Sequence, residues 1–146
     1  MRYSFGGVDH ESEIKQLLAG CDLLQADITP AMLEHFLLGR DGARLVAVVG
    51  LEIKDHSALL RSLAVDEAYR NRKIATALVG KIEDYARSLK VDRLYLLTLT
   101  AEAFFKKCGY RTAERDSAPA GIQGTAEFKS LCPASAACLV KHLSRV

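Results

Sequence analysis

The chain has few cysteines, and none of them stands in a metal-binding arrangement. Cys21, Cys108, Cys132 and Cys138 include no Cys-x-x-Cys pair, and no nearby histidine completes a zinc pattern. No metal is expected, and the thiols read as reduced side chains packed as small hydrophobes. Long hydrophobic runs are also missing. No stretch approaches the roughly 18 apolar residues of a membrane span, and residues 1–11 lack the apolar heart of a signal peptide. A soluble, cytoplasmic protein with no membrane partner is expected. Charge of one sign is lacking too. The formal net charge is +2, and the basic residues gather near positions 70–73 without interleaved aromatics, which argues against nucleic acid as a partner. There is no internal repeat, low-complexity tract or interdomain linker.

What is present suits one domain over residues 1–146, since 49% of the residues are apolar and a chain of this length can bury a substantial core. Residues 3–8 read as an edge strand. Residues 11–24 read as a helix, with Ile14, Leu17, Leu18 and Cys21 at helical spacing. Thr29-Pro30 suits the start of a short helix. Asp41-Gly42, between apolar stretches at 35–38 and 45–53, signals a hairpin, and residues 54–57 make the next turn. A strand over 58–65 and another over 93–100 are joined through a helix, which implies parallel pairing. Residues 110–115 and 136–142 read as closing strands, separated by a loop over 116–135. The sheet is thus mixed, antiparallel early and parallel in the middle, within an α/β fold.

The densest information lies in residues 59–78, LLRSLAVDEAYRNRKIATAL, where an apolar strand runs through a basic turn into an amphipathic helix. Ile74, Leu78, Ile82, Tyr85 and Leu89 mark the apolar face of that helix, and Lys81, Glu83, Asp84 and Arg87 fall on wet faces. Such a turn aims backbone N–H groups and cations at one point, and the natural ligand there is a phosphate or pyrophosphate. Within the strand, Arg61 and Ser62 interrupt the apolar run. A charge there must be paired or must face a cleft, so Arg61 either binds a substrate carboxylate or phosphonate or pairs with an acid such as Glu52. Neighbouring strand residues point to opposite faces, so Arg61 and Ser62 reach one pocket only if the strand bulges or splays.

The triplet Leu63-Ala64-Val65 followed by Arg70-Asn71-Arg72-Lys73-Ile74-Ala75 resembles the GNAT superfamily of acetyl-CoA-dependent N-acetyltransferases. Residues 94–100 and the stretch 101–110, AEAFFKKCGY, look like the next blocks of that family, in the same order. Residues 126–128 and 131–136 look like a narrower branch, the acetyltransferases found alongside arsenic-resistance determinants. The resemblance implies a mostly antiparallel sheet with a central parallel pair, flanked by helices. It implies acetyl-CoA as the acetyl donor, held by Leu63, Val65, Arg70, Asn71, Arg72, Lys73, Ile74, Ala75 and Thr76, and it carries with it a possible homodimer. Lys73 stands where the family's motif has glycine, which predicts weakened or altered coenzyme binding. The resemblance also brings arsenic into view, for which the soft thiolates of Cys132 and Cys138 would be suited only if the fold brought them together.

Transfer to an amine requires a neutral nucleophile, a stabilised oxyanion and a departing thiolate. In the family the oxyanion is met by a backbone N–H at the strand end, here within 63–65, and the thiolate is often protonated by a tyrosine whose position falls on Phe105. Phenylalanine has no proton to give, so water must serve. Glu52 and Glu127 are the candidates to accept the amine proton. Thr98, Cys132 and Ser135 join Arg61 and Ser62 as candidate substrate-binding residues, since loops and strand ends readily encode specificity. The expected function is acetyl transfer to the primary amine of a small molecule, an amino acid or amino-acid-like toxin, in a ternary complex. The alternatives are a coenzyme-binding or metalloid-responsive protein with weak or lost transferase activity, and a protein or peptide N-acetyltransferase.

Overall fold

The computed structural model describes residues 1–143. Its strands are β1 (Arg2–Phe5), β2 (Phe36–Asp41), β3 (Arg44–Lys54), β4 (Ser57–Val65), β5 (Arg93–Thr98), β6 (Arg111–Thr112) and β7 (Ala137–His142). Its α-helices are α1 (Glu11–Gly20), α2 (Ile74–Ser88), α3 (Glu102–Lys107) and α4 (Ala120–Gln123). Strand order is β1-β2-β3-β4-β5-β7-β6. The β1/β2, β2/β3, β5/β7 and β6/β7 pairs are antiparallel and β4/β5 is parallel, which is the mixed α/β sheet expected. The chain divides into two compact units, Met1–Glu52 with Arg61–Ile82, and Ile53–Leu60 with the residues from Glu83 onward.

In the first unit, Ile14 and Leu18 of α1 pack with Ile28, Leu33, Phe36, Leu38, Leu45, Val48 and Ala64. Helix α1 stops at Gly20, short of the expected residue 24. Asp22 turns left-handed at φ +58°, and the amides of Asp22 and Leu23 bond back to Ala19 and Leu18 at 3.1 and 2.9 Å, closing the helix before its apolar spacing runs out. Thr29-Pro30 opens a short 3-10 turn, Pro30–His35, as the sequence predicts. Gly42, at φ +62°, makes the hairpin between β2 and β3. Across that pair Gly50 faces Phe36, and a methyl group on Gly50 would lie 2.5 Å from the ring.

In the second unit, Leu59, Tyr95, Ala118, Ile122 and Val140 form the core. The parallel ladder runs from Ser57↔Arg93 to Leu59↔Tyr95. Helix α2 closes on Lys90 at φ +66°, with Lys90 and Val91 amides bonded to Arg87 and Ala86. Leu89, expected on its apolar face, lies past the last turn and is exposed. Helix α3 ends the same way on Gly109 at φ +96°, and Tyr110 then packs edge-on against Phe105, 5.5 Å between ring centroids. The expected strand over 110–115 shrinks to β6 because a 3-10 turn, Arg115–Ser117, takes over. The expected loop over 116–135 carries α4, anchored by fully buried Ile122, and a π-helical turn at Glu127–Leu131. Among the described residues no helix is long and apolar enough to cross a membrane.

Candidate active site

Strand β4 is broken at its middle. Ser62 has φ +61°, a left-handed conformation inside an otherwise extended segment. That break overrides the alternation of side chains and lets neighbours meet: Nε of Arg61 donates to Oγ of Ser62 at 3.1 Å. The Arg61 side chain has no exposed surface, whereas Asp27 and Glu52 keep 11% and 14% of theirs. Its guanidinium holds Asp27 bidentately, at 2.5 and 2.7 Å, and Nη1 also donates to Oε1 of Glu52 at 2.8 Å. The hydrogen bond from Arg61 holds the Asp27 carboxyl below its ordinary range, against the opposing effect of burial. The structure therefore brings Arg61, Ser62 and Glu52 together and adds Asp27, which local sequence pattern did not single out. The signal was indirect: a guanidinium in an apolar strand needs more acceptors than one glutamate supplies.

Beyond β4, Asp66 caps the 3-10 turn Glu67–Tyr69 through the Ala68 amide at 3.0 Å, and its own amide bonds the Val46 carbonyl at 2.7 Å. Arg70 folds back, its Nε donating to the Val65 carbonyl at 3.0 Å, and its guanidinium lies 3.8 Å from Sγ of Cys21. Asn71 and Lys73 take φ of +65° and +60°. Lys73 thus takes a left-handed backbone of the kind that favours glycine. Its carbonyl accepts the Ala77 amide at 3.1 Å and opens the α2 ladder, and buried Ile74 pins the helix start to the core. The N–H groups of Ile74, Ala75 and Thr76 belong to the first helical turn, whose donors have no intrahelical acceptor. Arg72 lies over the Tyr69 ring at 5.0 Å, and the Tyr69 hydroxyl donates to Asp41 at 2.6 Å. Exposed Arg72 and Lys73 beside the first-turn amides of α2 make an arrangement of the kind that suits a pyrophosphate.

The remaining candidates lie in the second unit. Thr98 accepts the Ala101 amide at 2.9 Å, bracing the approach to α3. Glu127 is buried in the π-helical turn, with Sγ of Cys132 3.7 Å from its Oε1. Ser135 is exposed. Phe105 is buried between Phe104 and Tyr110. Glu83, expected on a wet face of α2, is buried instead: Tyr110 donates to it at 2.9 Å, and Lys141 at 3.0 and 3.1 Å. Burial, with the Glu83 carboxylate beside it, pushes the Tyr110 hydroxyl well above its ordinary value. The clue was spacing, since Glu83 shares a stripe with buried Val79 and Ala86. Among the described residues, no group of three or more His, Cys, Asp or Glu is placed to hold a metal ion.

Residues 8–110 match the sequence profile of the acetyltransferase (GNAT) family. An uncharacterized N-acetyltransferase of Chlorobaculum tepidum is 37% identical over 81 residues, which are 56% of this chain and 50% of that protein. The chain spans about half the length of this curated relative. Among solved structures, N-acetylglutamate synthase from Neisseria gonorrhoeae, complexed with coenzyme A and L-arginine, superimposes with a TM-score of 0.82 at 20% identity, over 99% of this chain and 33% of that one. A Mycobacterium tuberculosis protein crystallised with CoA gives the same score and identity over 99% of this chain and 100% of its own. These structures share the fold described above, and with the sequence profile covering most of the chain, the protein belongs to the acetyltransferase (GNAT) family.

Proposed function

We propose that the chain transfers an acetyl group from acetyl-CoA to the primary amine of a small molecule, an amino acid or amino-acid-like toxin, by direct attack in a ternary complex. The observation that carries this reading is the run of left-handed residues, Ser62, Asn71 and Lys73, that shapes strand end, turn and helix start into one cradle. Acetyl-CoA supplies an activated thioester. The amides of Ile74, Ala75 and Thr76, with the cations of Arg72 and Lys73, bind the pyrophosphate, and Asn71 supplies the turn. Arg70 acts from behind, tying the turn to the end of β4. The backbone at Leu63 to Val65 offers an N–H to the polarised carbonyl oxygen. Glu52 takes the proton of the attacking amine, and Arg61 organises acids in place of meeting substrate. Glu127, next to Cys132, is the second candidate for that proton, and Thr98 and Ser135 are assigned to the acceptor side. With Phe105 at the position of the usual acid, the departing thiolate takes its proton from water, which a thiol pKa of about 8.5 tolerates.

The amino-acid preference draws support from the Neisseria enzyme, whose structure was also solved with coenzyme A and N-acetyl-glutamate. The sequence blocks at 126–128 and 131–136 support the arsenic-resistance branch, and hence a toxic amino-acid analogue among the acceptors. We place the protein as one working domain in the cytoplasm, where acetyl-CoA is available, and extend to it the family's habit of pairing as a homodimer. Calorimetry with acetyl-CoA, followed by thiol release across the common amino acids, tests the reading. Binding with amine-dependent release is expected, and Arg72→Ala should weaken binding more at low salt than at high salt. Absence of coenzyme binding overturns it.

A further inference from the structure

We propose that Asp27 is a positioning residue for the proton transfer assigned to Glu52, acting on it through Arg61. The assignment rests on the transferase reading above. Asp27 sits in the irregular segment after α1, delivered by its neighbour Ile28, which is buried in the core. It lies 34 residues from Arg61 in sequence, yet both of its oxygens are bonded to that guanidinium.

The geometry assigns distinct tasks to the three groups. The bidentate contact with Asp27 fixes the plane of the guanidinium, because a planar fork held at both terminal nitrogens cannot rotate. Nη1, so fixed, donates to Oε1 of Glu52. Nε, at the other end of the same plane, donates to Ser62 at the break in β4. Oε2 of Glu52 takes no hydrogen bond among the described residues and is the oxygen left to accept a proton. Arg61 is fully enclosed while the Asp27 and Glu52 side chains keep some exposed surface, so an approaching acceptor does not meet the guanidinium. Two carboxylates share one cation, and Glu52 therefore does not face Arg61 alone. Without Asp27 the guanidinium loses its bidentate hold and its charge falls on Glu52 alone, which makes that carboxylate a poorer proton acceptor.

The test is kinetic, with acetyl-CoA and whichever amino acid the wild-type protein acetylates fastest. Asp27→Asn is expected to lower kcat about tenfold with the KM for acetyl-CoA within twofold of wild type, and Asp27→Glu, which restores the carboxylate, to recover part of that loss. In a Glu52→Gln background Asp27→Asn is expected to change kcat less than twofold, since a residue acting through Glu52 has nothing left to position. Rates are taken well below each variant's melting temperature, so a purely structural role would leave kcat unmoved. Equal losses in both backgrounds, or no loss in either, overturn the assignment while leaving the transferase reading in place. Coenzyme binding with no thiol release from any amino acid overturns both.

Discussion

Lys73 holds a φ of +60°, where an L side chain crowds its own backbone. Lysine lacks the short polar side chain that lets asparagine, the residue at position 71, tolerate such a backbone. Lys73→Gly should therefore raise stability by about 0.5–1 kcal/mol in urea denaturation, the relief of crowding exceeding the entropy that glycine loses on folding. The same variant should lose coenzyme affinity at low salt, because the ammonium leaves with the side chain. The chemistry of position 73 was legible in the sequence, but its conformation was not. Nothing in residue type says that a lysine will accept a left-handed backbone; the turn is tied on either side by buried Ile74 and by the Val65 carbonyl bonded to Arg70.

The elements follow their sequence signals where one pattern acts alone. Strands β2 and β3, the hairpin at Gly42 and the parallel pair β4/β5 were all readable from apolar runs and turn residues. They depart where a terminus closes on itself, as α1 does at Asp22, or where one residue belongs to a distant partner. Gly50 shows the second case. It reads as an ordinary glycine in a strand, yet it exists to admit the Phe36 ring. Gly50→Ala should cost about 2 kcal/mol by overpacking, a fall in Tm of roughly 4–8 °C. Phe36→Leu in the same chain should return part of the loss, and a neutral Gly50→Ala would show that the pair has room to spare.

At the scale of the whole molecule, near-neutral charge conceals pairs that matter at low pH. Glu13, bonded by Arg40, and Asp27, bonded by Arg61, both hold folded-state values below their ordinary 4.5 and 3.8. Each contributes stability that is present above the ordinary value and is lost as pH falls through the depressed one. Tm should thus be level from about pH 5 to about pH 8 and decline below about pH 4. Arg40→Gln should flatten that decline as well as lowering Tm at neutral pH, and an unchanged slope would exclude the Glu13 contribution. Such long-range pairs were the least legible part of the candidate site. Arg61 announced its need for acids, and Glu52 was within reach of inference, but Asp27 arrives from a segment without periodicity. The Glu83, Tyr110 and Lys141 cluster was hidden likewise, because a carboxylate on a helix reads as solvated until the fold buries it.

The break at Ser62 also bears on how freely this gene can drift. A left-handed residue next to a buried arginine admits few side chains beside the native serine: glycine without strain, asparagine and aspartate at small cost, and valine, isoleucine or threonine hardly at all. A codon library at position 62, selected for coenzyme retention, should collapse to that short set, although every neighbouring strand position favours the very residues it rejects.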